Sequence, residues 1–195
     1  NLIILLIFSI LILFSYFFYK DLQKKKEVQL SSNYTQATIQ FNEKNTNEAK
    51  QLLEKIISEN HKFYSPLALY FIIENNLEKD SAKILNFFDE ILLIDSIDKE
   101  NLNLIKIKKA IFLFNLDDEK AIIKSLNPII NSDSIWRNLS IKLMSDYLIS
   151  KDQKLKANEY IELLNSKIKK EVLDNHISFW LNWEIKTLVD RIKGS

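Results

Sequence analysis

The chain has 195 residues, with 27 basic and 26 acidic side chains, no cysteine, and a single glycine, Gly194, second from the end. A near-neutral balance gives neither an electrostatic footprint for nucleic acid nor polyanionic character. Without cysteine there are no disulfides, thiolate metal sites or cysteine nucleophiles. Without interior glycine there is no phosphate-cradling loop, dinucleotide fingerprint, nucleophile elbow or calcium loop.

The first predicted element is an apolar run. Leu2 to Tyr19 carry no charge, and only Ser9, Ser15, Tyr16 and Tyr19 interrupt its Leu, Ile and Phe residues. As a helix it covers about 27 Å, close to the roughly 30 Å hydrocarbon thickness of a bilayer. Its apolar side chains favour insertion by about 4 to 8 kcal/mol on the translocon scale, an upper bound. The competing reading is a cleaved signal peptide, whose apolar core is about 7–15 residues and ends in a small-residue cleavage site. This run is longer and closes with Tyr16, Phe17, Phe18 and Tyr19, which suit an interfacial belt. Residues 1–19 are therefore read as an uncleaved transmembrane anchor, with Leu2, Leu6, Leu11, Phe14 and Tyr19 as its anchoring side chains. Because the chain starts at Asn1 and not at methionine, a short upstream segment is expected.

Residues 20–31 read as a juxtamembrane linker or a helical extension. Lys24, Lys25 and Lys26 give it a basic cluster that either touches anionic headgroups or forms a solvated helix face, the plainer explanation.

Residues 32–195 read as an all-α domain. Pro66 and Pro128 are its only prolines, and Ile, Leu, Lys, Glu and Asn are abundant. Apolar stripes at helical spacing recur: Ala49, Leu52, Leu53, Ile56 and Ile57; Ile84, Phe87, Phe88 and Ile91; Ala157, Tyr160, Ile161 and Leu164. Helices are predicted near 32–44, 47–59, 64–76, 79–94, 98–115, 118–131, 134–150, 153–166 and 169–192. Thr46 and Asp117 are the expected N-caps among them. Each polar turn is followed by an alanine, at Ala49, Ala82, Ala121 and Ala157, at intervals of 33, 39 and 36 residues. Two helices per period of this length is the spacing of helix–turn–helix solenoids, so four stacked hairpins and a Trp-rich closing helix are expected.

Two stretches carry a resemblance to a known family: Phe63-Tyr64-Ser65-Pro66-Leu67-Ala68, and Ser134-Ile135-Trp136-Arg137-Asn138-Leu139-Ser140-Ile141-Lys142. With the N-terminal apolar run, they make the chain resemble the tetratricopeptide-repeat-like (TPR-like) bacterial inner-membrane proteins, whose best-known branch is the ancillary subunit of the SecYEG translocon. Ser140 replaces a usual alanine, and Asn45, Asn76, Asn115 and Lys151 stand where repeat turns usually carry glycine. The resemblance implies a single-pass inner-membrane tether, repeats in the periplasm, and a role among translocon subunits, chaperones and emerging polypeptides. The lysines after the anchor, taken alone under the positive-inside rule, place the repeats in the cytoplasm instead; the family's periplasmic orientation is followed.

Candidate sites are few. His61 and His176 lack metal-ligand spacing and read as surface histidines. The clusters Asp95 to Asp98 and Asp117-Asp118-Glu119 are explained by capping at helix starts. Trp136 and Arg137 are candidate interaction residues, because Trp and Arg dominate binding hot spots. The alternative packs Trp136 with Leu139, Leu143 and Tyr147 and pairs Arg137 with a carboxylate. Trp183 is a third candidate. No catalytic, cofactor or metal residues are assigned, and neither an enzyme nor a small-molecule substrate is expected. The sequence thus reads as a membrane-anchored protein-binding adaptor. A structural scaffold in division or outer-membrane assembly complexes is the other reading.

Overall fold

The computed structural model describes residues 2–171, with side chains described for residues 9–164. Every regular element among the described residues is an α-helix: α1 (Leu2–Asn42), α2 (Thr46–Ser58), α3 (Tyr64–Glu74), α4 (Ser81–Leu92), α5 (Lys99–Phe114), α6 (Glu119–Ile130), α7 (Arg137–Ser150) and α8 (Lys154–Glu171). The chain divides into two compact units, Asn1–Ile97 with α1 to α4 and Asp98–Ser195 with α5 to α8. Within each unit every helix packs on the next, and the first also touches the third.

The core is written in one recurring pattern. In the second helix of each pair, residues at i, i+4 and i+7 are buried: Ala49, Leu53 and Ile56 on α2; Ile84, Phe88 and Ile91 on α4; Ile122, Leu126 and Ile129 on α6; Ala157, Ile161 and Leu164 on α8. These positions line one helical face. Successive triplets lie 35, 38 and 35 residues apart. Each fully buried Leu, Ile or Phe contributes roughly 1.5–3 kcal/mol, so one triplet outweighs any exposed ion pair, worth about 0–1 kcal/mol.

The alanine register differs from the one expected. Ala49 and Ala157 are fully buried, but Ala82 is exposed and Ala121 half-buried. Both belong to a first helical turn, before the buried stripe begins. The other buried alanines are Ala37, Ala68 and Ala110, all on first helices.

Two helix boundaries also differ. No break occurs near residue 32, and α1 runs unbroken from the apolar segment into the packed body. The polar stretch stays helical because Leu30 and Ala37 are buried on it; the Thr35 hydroxyl donates to the Ser31 carbonyl (3.0 Å) and that of Thr38 to the Thr35 carbonyl (2.7 Å). At the other end α8 continues through 166–169 to Glu171. The remainder of the expected closing helix, with His176, Trp180 and Trp183, lies outside the described residues.

Two N-caps stand one residue from the expected positions. Asp118, not Asp117, precedes α6 and accepts from the Ala121 N–H at 2.9 Å, while Thr46 is the first residue of α2 behind Asn45. Asp80 and Asp98 cap α4 and α5 in the same way as Asp118. Pro66 is the third residue of α3, where the backbone N–H is an orphan in any case. Pro128 sits inside α6, close to its end.

With no glycine among the described residues, the turns pass through left-handed residues that carry side chains: Lys44, Asn60, Asn76, Asp117 and Asp152, with φ between 50° and 68°. After α1, α3 and α7 these residues close Schellman motifs. The pairs are Lys44 N–H to Phe41 with Asn45 N–H to Gln40, Asn76 to Ile73 with Leu77 to Ile72, and Asp152 to Ile149 with Gln153 to Leu148. Of the four substituted positions expected, only Asn76 adopts the left-handed conformation. Asn115 and Lys151 are helix C-caps that precede it, and Asn45 follows it. Lys44 is the least favourable of the set, since Asn and Asp tolerate this region better. Lys44→Gly should therefore raise stability by about 1 kcal/mol in a urea titration, with an unchanged m-value.

Candidate functional site

The apolar stem is the most exposed hydrophobic surface described. Leu11, Phe14 and Tyr19 are 59%, 75% and 62% exposed, and their neighbours from Ile10 to Phe18 are similar. The side chains of Leu2 and Leu6 lie outside those described. Among the described residues no helix is long and apolar enough to cross a membrane. The charge-free part with described side chains, Ser9 to Tyr19, accounts for only about 16 Å of rise.

Beyond the stem, α1 carries lysines in distinct settings. Lys25 pairs with Asp21 at 2.7 Å along the same helix. Lys26 reaches across to α2, pairing with the Glu59 carboxylate at 3.1 Å and donating to the Glu59 carbonyl at 3.2 Å. A cation at the end of α2 complements the helix dipole. Leu30, 2% exposed, is the first core residue of α1.

The α2–α3 turn next to this contact is built on His61 and Ser65. The His61 Nδ1 accepts the backbone N–H groups of Phe63 and Tyr64, both at 3.2 Å. The His61 N–H donates to the Ser65 Oγ at 2.9 Å, and the Ser65 hydroxyl, fully buried, faces the Ile56 and Ile57 carbonyls at 3.0 and 3.1 Å. His61 is thus a half-buried turn residue rather than a plain surface histidine. Partial burial holds its pKa below the ordinary value, with Lys26 and Lys62 adding to the effect and Glu27 opposing it. Phe63 projects from the same turn and is 60% exposed.

A charged hub joins α2, α4 and the turn before α4. Glu78, whose side chain is only 9% exposed, pairs with Lys50 at 2.7 Å and Lys83 at 3.4 Å, and Lys83 also reaches Glu54 at 2.7 Å. The Glu78 Oε1 accepts the N–H groups of Lys79 and Asp80 at 2.8 and 2.9 Å. The Asp80 N–H and Lys50 hold its carboxyl down at about 2.

In the second unit, Trp136 and Arg137 close a junction between three helices. The Trp136 indole N–H donates to the Glu100 carbonyl (3.0 Å), and the Arg137 Nε donates to the Ile130 carbonyl (2.9 Å) at the end of α6. Buried Ser134 accepts from the Asn103 amide and the Trp136 N–H and donates to the Glu100 carboxylate. Both Trp136 and Arg137 are half-buried. Arg137 meets a carbonyl where a carboxylate was the expected alternative partner. Tyr147 is engaged elsewhere, stacking on Phe114 and donating to Asp117, which also pairs with Lys151 at 2.6 Å. Burial, with the Asp117 bond second, pushes the Tyr147 phenol up to about 12. Trp183 lies outside the described residues.

Two open clefts lie on the described surface. One of about 330 Å³ lies between α6 and α8, lined by Asn127, Asn131, Glu159, Tyr160 and Leu163. Another, about 560 Å³, follows α4 and is lined by Asn60, Glu90, Leu93 and Asp95. Among the described residues no group of three or more histidines and carboxylates is arranged to hold a metal ion.

Sequence reasoning missed the His61 cap and the Glu78 hub. Glu78, two residues ahead of Asp80, carries a local signal, since a carboxylate before a capped helix faces free N–H groups. His61 carries none at the level of spacing.

Two predictions follow from these linkages. The neutral His61 contribution should be full above about pH 6.5 and fade as pH falls through its lower folded value, because the unfolded chain then binds more protons. His61→Asn, which keeps an acceptor without a titrating ring, should remove that slope from thermal melts between pH 7 and 5. The Glu78 contribution should be full above about pH 4.5 and disappear as pH falls towards 2. Glu78→Gln should cost about 2 kcal/mol at pH 7, by urea titration, and flatten the acid limb.

Set against known proteins, the chain matches no family model, no curated protein and no solved structure.

Proposed function

We propose that the chain is a membrane-anchored, TPR-like protein-binding adaptor, an ancillary translocon subunit that links secretion to periplasmic chaperones. It sits in the bacterial inner membrane as a single-pass protein with its helical repeats in the periplasm, where translocon subunits, chaperones or emerging polypeptides are its partners. The supporting observation is α1 itself. One helix without glycine or proline joins an eighteen-residue charge-free run to the paired helices, which supports reading the apolar segment as a stem of the domain. The 35- and 38-residue recurrence of buried triplets supports the repeat reading, since hairpins of this size bury their stripes only by stacking on neighbours.

The decisive experiment has two parts. The protein should remain in the membrane pellet after alkaline carbonate washing, whereas the double replacement Leu11→Arg with Ile12→Arg should make it largely extractable, since two central arginines cost about 6 kcal/mol of insertion energy. Co-purification in mild detergent should then recover translocon or chaperone components. Membrane retention without either component across replicates would remove the translocon assignment and leave the anchor.

A further inference from the structure

We propose that the cleft between α6 and α8 takes an extended polypeptide segment and holds its main chain through the side-chain amides of Asn127 and Asn131. The inference rests on the adaptor reading above and gives that reading a site and a ligand chemistry.

The groove between second helices is built twice, with different chemistry. The buried triplets of α2 and α4 recur on α6 and α8 at a constant offset of 73 residues, from Ala49 to Ile122 and from Ile84 to Ala157. That offset carries Glu54, Ser58, Lys83 and Phe87 onto Asn127, Asn131, Lys156 and Tyr160. In the first unit charge bridges the groove: Lys83 pairs with Glu54 at 2.7 Å and lies over the Phe87 ring at 5.6 Å. In the second, Lys156 turns instead to Glu119 at 3.7 Å, which also accepts from the Gln153 amide at 3.1 Å. The lysine is thereby drawn to the start of α6, two turns away from Asn127. The Asn127 oxygen accepts from the Tyr160 hydroxyl at 3.3 Å, and a cleft of about 330 Å³ lies open beside the pair.

The unspent groups in this cleft match a peptide backbone. Among the described residues the Asn127 amide N–H groups and the whole Asn131 side chain have no hydrogen-bond partner, and the Asn127 oxygen keeps a second lone pair. Each amide thus offers a donor and an acceptor, the same pair that one residue of a main chain presents. Asn127 and Asn131 stand four residues apart at the end of α6, a rise of about 6 Å. In an extended chain the residues that face one way repeat at every second position, about 6.6–6.8 Å apart. A helical ligand has no such groups to give, because its amides pair internally. Leu163, 37% exposed on α8, supplies apolar surface for one ligand side chain. Glu159 is the single charge in the lining, which disfavours an anionic ligand.

The full-length protein in non-ionic detergent is titrated, with anisotropy as the readout, against a capped, fluorescein-labelled decapeptide. The peptide consists of serine, threonine and glutamine, with leucine at two central alternate positions. A second peptide has the same sequence, N-methylated at every central residue. The first should bind saturably, and the second, stripped of its donors, about tenfold more weakly. Asn131→Leu, which keeps the size without the amide, should also lose about tenfold, and Asn131→Asp, isosteric but without the donor, most of that. Ser58→Ala, at the matching position of α2, should bind as the wild-type chain does. Equal binding of the two peptides overturns main-chain recognition. Equal binding by the wild-type chain and both Asn131 variants overturns the cleft and leaves an adaptor that binds elsewhere. Absence of saturable binding to the wild-type chain also overturns the cleft; the adaptor reading falls with it only where co-purification from membranes recovers no partner either.

Discussion

Burial of the i, i+4 and i+7 residues on α2, α4, α6 and α8 is the constraint that the other features serve. A lone helix of 12 or 13 residues is marginal in water, so α2, α4 and α6 exist because their apolar faces are covered. The neighbouring helices, the capping aspartates and the left-handed turn residues all set where that face points. Exposed ion pairs such as Lys25 with Asp21 add little by comparison. The Glu78 hub differs because its carboxylate is nearly buried and accepts two backbone N–H groups besides two lysines.

Much of the fold was legible because helical periodicity is a local signal. The stripes through Leu53 and Ile56, and through Phe88 and Ile91, were read in the register in which they are buried. Ala82 misled because composition shows that a small residue is present but not that a neighbour approaches it. The break expected near residue 32 failed for a related reason. Ser31, Ser32 and Asn33 have turn character in isolation, yet covering Leu30 and Ala37 outweighs that preference.

The candidate sites were less legible, since they depend on contacts between residues about thirty positions apart. Trp136 was singled out by residue type, but its indole partner is a backbone carbonyl on another helix, which no side-chain pattern announces. Lys26 looked like one of three equivalent lysines. Its neighbour Lys25 is tied to its own helix, whereas Lys26 fastens the first hairpin shut. His61 is hidden for a different reason: its contacts are local, but its role follows from a ring nitrogen meeting two amides in one turn, which residue type and spacing do not announce.

The unbroken course of α1 has a mechanical consequence. Tyr19 and Asn42 are joined by helix alone, with no glycine or proline to act as a hinge. Whatever grips the apolar end therefore holds a stiff lever about 35 Å long, and a 10° change in its inclination sweeps the far turn through about 6 Å. Matching of the apolar stretch to the thickness of its surroundings alters inclination at modest energetic cost. Under the anchored arrangement proposed above, the position of the first hairpin would then respond to lipid composition, coupling the material state of a membrane to what the domain can reach.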